Sequence, residues 1–159
     1  MKVQSNGKVS RYYETFLLFG GGTQYFVKPI EFKENANYFS MDYTLRDNLQ
    51  DSSFITCNFT FSTNTPYKNL KKLSFKTEDE EISTNFLEKI YIEKTKMYHY
   101  RYTSKLRFYD FKELFSKNLQ QIIISDGEQE ARISNNNRFI KASKFIRENV
   151  INVINLQKS

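Results

Sequence analysis

Apolar and polar side chains alternate at a spacing of two along much of this chain. Residues 37–45 place Phe39, Met41, Tyr43 and Leu45 on one side and Ser40, Asp42 and Thr44 on the other. Residues 53–62 repeat the pattern, with Ile55, Cys57, Phe59 and Phe61 against Thr56, Asn58 and Thr60. Successive side chains of a strand point to opposite faces, so both runs read as half-buried antiparallel strands. The longest run begins at Met97. Its even positions are Tyr98, Tyr100, Tyr102, Ser104, Leu106 and Phe108, and its odd positions are His99, Arg101, Thr103, Lys105, Arg107 and Tyr109. One face is therefore aromatic and the other basic.

Turn residues divide the rest. Gly20-Gly21-Gly22 separates apolar runs at 11–19 and 23–32, and Pro29 in the second run predicts an edge position or a bulge. Thr63-Asn64-Thr65-Pro66 ends the strand at 53–62, a shorter strand follows at 70–76, and residues 77–81 form an acidic loop. Residues 85–94 fit helical and strand spacings alike and are taken as a strand from Phe86. Asp126-Gly127 predicts a two-residue hairpin turn within 119–134, pairing Ile124 with Gln129 and Ile122 with Ala131.

Two helices are expected. Asp110-Phe111-Lys112-Glu113 has the form of a capping box and opens a short helix through Phe115. The triplet Asn135-Asn136-Asn137 caps a final helix to about Gln157. At 100° per residue its apolar stripe is Phe139, Ala142, Phe145, Ile146, Val150, Val153 and Leu156. Ile140 and Ile151 fall on the outer side, which makes them a candidate oligomer contact. Residues 1–10 read as a flexible polar leader.

These elements predict one α+β domain over residues 1–159. It would be a mainly antiparallel curved sheet or open β-barrel of about seven to eight strands, with a long C-terminal helix and one short helix. A two-sheet sandwich with the helix at one end is the alternative.

Composition agrees with a folded chain. Of the 159 residues, 39% are hydrophobic and 16% aromatic, enough apolar surface to offset the entropy of ordering. No apolar run approaches the roughly 20 residues of a bilayer span. The polar N-terminus lacks the hydrophobic region of a secretory signal, so the expectation is a cytoplasmic protein with no membrane partner unless a leader has been removed. Net charge is +6, unevenly spread. Residues 77–93 sum to −5, residues 94–112 to +5 and residues 138–158 to +4. The first two blocks adjoin, so the basic strand is expected to pair with the acidic segment as readily as with an external anion.

Candidate chemistry is sparse. The single histidine and single cysteine leave no set of His/Cys ligands for a zinc site, and neither a metal nor a cofactor is expected. Cys57 sits in register between Ile55 and Phe59, a core position with little nucleophilic character. The glycine triplet leads into a strand, not a helix, so it is a turn and not a phosphate loop. Glu78–Glu81 lacks the spacing of a calcium loop. The remaining constellation is His99, Arg101, Lys105, Arg107 and Tyr109, a basic candidate binding row on the strand's polar side. The expected function is a small non-enzymatic binding or interaction module, its partner another protein or a second copy. Alternatives are a nucleic-acid binder contacting phosphates through Arg101, Lys105 and Arg107, and an enzyme whose site contains His99.

Overall fold

In the computed structural model, which describes residues 3–157, two antiparallel sheets are built from eleven strands. The strands are β1 (Val3–Val9), β2 (Tyr13–Leu18), β3 (Thr23–Glu34), β4 (Asn37–Arg46), β5 (Phe54–Thr63), β6 (Lys72–Thr77), β7 (Glu81–Ser83), β8 (Asn85–Lys94), β9 (Tyr98–Arg107), β10 (Leu119–Ser125) and β11 (Glu130–Ser134). Seven form one open sheet in the order β1-β2-β3-β4-β5-β9-β8, and four form a second in the order β11-β10-β6-β7. There is no closed barrel, and the strand number exceeds the seven or eight expected. The polar leader is one source of the difference: residues 3–9 pair with β2, although residues 1 and 2 lie outside the described residues. The three-residue β7 is another, because Glu81-Ile82-Ser83 offers a single apolar side chain and is too short to show an alternation.

The alternating runs behave as their spacing requires. In β4, β5 and β9 the apolar members of one face are buried, from Phe39, Met41, Tyr43 and Leu45 to Tyr100, Tyr102 and Leu106, with Tyr98 half-buried at the start of β9. Rings stack across neighbouring strands, Phe39 on Phe59 at 5.6 Å and Phe59 on Tyr102 at 5.9 Å. The smaller sheet and the helices all pack on this aromatic face. Tyr43 meets Phe111 and Phe115 edge-on at 5.2 and 5.6 Å, and Phe32 meets Phe139 at 5.8 Å. The phenols on β9 find partners in the segment that leads into β6: Tyr102 accepts from the Leu70 amide, and Tyr100 donates to the Tyr67 carbonyl. Tyr and Phe are thus divided by whether a polar group waits at the ring's far end.

Pro29 lies at a bulge between Val27 and Ile30, past the last β2–β3 pair at Tyr13–Val27, where a missing N–H breaks no ladder bond. The β10–β11 hairpin keeps the predicted face for Ile122, Ile124, Ala131 and Ile133 but not the predicted register. Ile124 pairs with Ala131 and Ile122 with Ile133, a shift of two residues. The cause is Asp126, whose carboxylate accepts from the amides of Glu128, Gln129 and Lys68 and so closes a loop of four residues, with Gly127 at φ +93°.

Helix α1 (Phe108–Ser116) starts before the predicted capping box. Arg107 occupies the N-cap without a side-chain cap bond, and Asp110 sits inside the first turn, bonded to Arg107 Nε at 3.0 Å. The C-terminal helix opens as expected: Asn136 caps α2 (Asn137–Ile146) by accepting from the Phe139 amide. It then passes through a π-helical segment at Arg147–Ile151 into α3 (Asn152–Gln157). The wider π turn carries one additional residue and rotates everything after it. Ile151 and Ile154 are consequently buried, at 5% and 0% exposure, and Leu156 is turned out. The outer pair Ile140–Ile151 therefore does not exist as a surface. Ile140 is exposed and Ile151 belongs to the core.

Candidate binding face

Register places the polar positions of the large sheet in rows that cross four strands. One row runs Tyr38–Ser62–His99–Glu93, the next Ser40–Thr60–Arg101–Tyr91, and the next Asp42–Asn58–Thr103–Glu88. The ring contacts that join the two layers leave from the opposite face, and the side chains of this one range from buried Asp42 and Ser62, through half-buried Thr60, His99 and Arg101, to exposed Tyr38, Tyr91 and Glu93.

At its centre is an ion pair. Arg101 Nη2 lies 3.2 Å from Asp42 Oδ2, while Arg101 Nη1 donates to Thr60 Oγ1 at 3.2 Å. Asp42 is 5% exposed, and burial raises its carboxyl above the ordinary carboxylate range, with the Arg101 hydrogen bond and charge opposing that rise. Lys105 Nζ donates to Thr56 Oγ1 at 3.0 Å. His99 is held on both sides, Nδ1 by Ser62 Oγ at 2.7 Å and Nε2 by Thr95 Oγ1 at 2.9 Å.

The predicted row is thus only partly assembled. His99, Arg101 and Lys105 share the face. Arg107 ends the strand and turns to Asp110, beside a cleft that also contains Glu80 and Glu81. Tyr109 is on α1 and not on the strand at all. Its phenol pKa is raised, chiefly by the Glu113 carboxylate, which places it among acids and away from the basic positions. The acidic block takes its cations elsewhere: Lys117 lies 3.3 Å from Asp79, and Lys72 lies 3.3 Å from Glu81. Among the described residues, Arg101 and Arg107 are matched by Asp42 and Asp110 and not by residues 77–93.

A cleft of about 510 Å³ opens at one end of the face, floored by Ser40, Thr60 and Ser62 and walled by Tyr38, Lys33 and Arg138. Lys33 Nζ stands 5.1 Å from the Tyr38 ring centroid. Arg138 reaches over from α2 to pair with Glu31 at 3.0 Å, past the point where β3 has parted from β2. Sequence reading did not reach this cleft, since it depends on the juxtaposition of residues 31–40, 60–62 and 138. The Ser62–His99 and Asp42–Arg101 contacts were equally hidden, because they need the β5–β9 and β4–β5 registers together. Among the described residues, no three His, Cys, Asp or Glu side chains gather as a metal site would require, and no helix is long and apolar enough to cross a membrane.

Comparison with protein-family models, with curated proteins and with solved structures finds no match for this chain.

Proposed function

We propose that this protein is a non-enzymatic interaction module that docks another protein on the polar face of its large sheet. The observation carrying the reading is the asymmetry of that sheet: one face is sealed by the second layer, and the other is an array of hydroxyls, amides and one buried ion pair. Two of the three strand cations are already neutralised by carboxylates within the fold. A phosphate-backbone track needs cations free to displace counterions, whereas Ser40, Thr60, Ser62, Asn58 and Thr103 suit a neutral polar surface. Protein interfaces combine such hydrogen-bonding groups with tyrosine and arginine, here Tyr38, Tyr91 and Arg101.

Site-specific photocrosslinking tests it. A benzophenone side chain in place of Thr60 or Thr103 is expected to trap one discrete protein, and Ser40→Arg beside it is expected to abolish the product. Equal trapping by the same group at Arg132, on the smaller sheet, would overturn the proposal.

The Ser62–His99 contact at 2.7 Å favours a second reading, acyl transfer with Ser62 as nucleophile and His99 as base. Its weakness is the third position, where Thr95 stands in place of a carboxylate. Turnover of p-nitrophenyl acetate by the wild type, lost in Ser62→Ala, would establish that reading over the first.

A further inference from the structure

A second cleft, of about 500 Å³, lies away from the sheet face, between the C-terminal end of α1 and one side of α2. Four cations line it, Lys117, Lys141, Lys144 and Arg147, and no carboxylate does. Lys141, Lys144 and Arg147 recur at a spacing of three, so the helix presents them as a ladder along one side. Lys117 is compensated by Asp79 at 3.3 Å and Glu113 at 3.9 Å. Arg147 spends one N–H on the Phe115 carbonyl at 2.7 Å, a bond that orients it without neutralising it. Among the described residues, no carboxylate pairs with Lys141 or Lys144. Three cations therefore converge without compensation.

An independent feature also points to a ligand. Ser143 lines the same cleft, is 5% exposed, and its hydroxyl has no hydrogen-bond partner in the protein. A buried hydroxyl left unpaired is destabilising, so such groups normally meet a ligand or an ordered water. The π-helical segment starts at Arg147, on the cleft wall, and irregular turns of this kind recur at functional sites. Ile140, exposed and without a role in the core, supplies an apolar wall.

We propose that this cleft binds a small molecule through a diphosphate group, held by Lys141, Lys144 and Arg147 with Ser143 donating to a phosphate oxygen. Three uncompensated cations exceed what a single phosphate, of about −2 charge, would balance. The volume lies in the range of small-ligand pockets, roughly 300–1,000 Å³. The site does not depend on the polar sheet face and stands or falls separately from it.

Calorimetric titration of the full chain with sodium pyrophosphate, with sulfate at matched ionic strength as control, tests the assignment. Pyrophosphate should bind saturably with one-to-one stoichiometry and move amide resonances of residues 116–119 and 140–147. Lys141→Ala/Lys144→Ala should weaken it by about tenfold or more. Ser143→Ala should weaken it several-fold while keeping the wild-type circular dichroism spectrum. The exposed pair Lys89→Ala/Lys94→Ala, remote in sequence and on β8, should bind as the wild type does. Sulfate binding as tightly as pyrophosphate, no saturable pyrophosphate binding, or an unaffected Lys141/Lys144 variant would each overturn the proposal.

Discussion

At the scale of single residues, the fold decides chemistry that composition leaves open. Cys57 is fully buried, and that burial pushes its thiol up to about 12, far from the range where a thiolate forms near neutrality. Modification by a disulfide reagent such as Ellman's is expected only from unfolded molecules, so its rate should follow unfolding as denaturant is raised. A fast reaction in native buffer would show that the core around Cys57 opens. Asp126 behaves in the opposite sense. Hydrogen bonds from the Gln129, Glu128 and Lys68 amides lower its carboxyl from 3.8 to about 2. A depressed folded value means that the stabilisation is present above the unfolded value and is lost as pH falls from about 4 towards 2. Asp126→Asn should therefore be less stable than the wild type at pH 6, and the gap should narrow on acidification through that window. The core role of Cys57 could be read from its alternating neighbours. That of Asp126 could not, because its partner at Lys68 is 58 residues away.

At the scale of elements, periodicity was legible wherever the backbone kept one period. The alternation in β4, β5 and β9 correctly assigned the buried apolar side chains because a strand has only two faces, while the burial of Asp42 and Ser62 on the polar side depends on their cross-strand neighbours. The C-terminal helix defeated the same method at one point, the π segment, which no residue type announces. Its consequence is measurable. Ile151→Ala should lower stability by about 2–4 kcal/mol, as core truncations do, while Ile140→Ala should stay within about 0.5 kcal/mol. Chemical denaturation of the two variants separates the cases, and equal effects would contradict the rotated face. The edge strand β8 raises a different issue. Ile90, Tyr91 and Ile92 are all exposed beside an unpaired strand edge, a setting that invites edge-to-edge association. Register breaks at 85–88 and 89–91, together with Glu88, Lys89, Glu93 and Lys94, oppose it. Glu93→Val/Lys94→Val should accordingly self-associate at concentrations where the wild type scatters light as a single species.

At the scale of the whole molecule, the chain order conceals how the layers are made. β9 enters the large sheet between β5 and β8, while β6, β7, β10 and β11 are set aside for the second sheet. Each of those strands shows an apolar side in sequence, but a pattern of faces does not state which sheet a strand joins. That partition is fixed by contacts between distant residues such as Phe32 with Phe139 and Tyr43 with Phe115. It also creates the candidate binding face, since only a sheet sealed on one side leaves a polar face to spare. A single aromatic cluster runs through both layers, with Phe115 touching Tyr43, Phe111 and Phe139. The layers should then unfold together. Phe115→Ala, which removes a ring from the junction, should lower stability by about 3–5 kcal/mol. Its far-ultraviolet circular dichroism and tyrosine fluorescence transitions should move to lower denaturant by the same amount and remain superimposed. Transitions that separate in the variant would mean that the large sheet survives without its second layer. The aromatic face would then be sealed by docking, not built as one core.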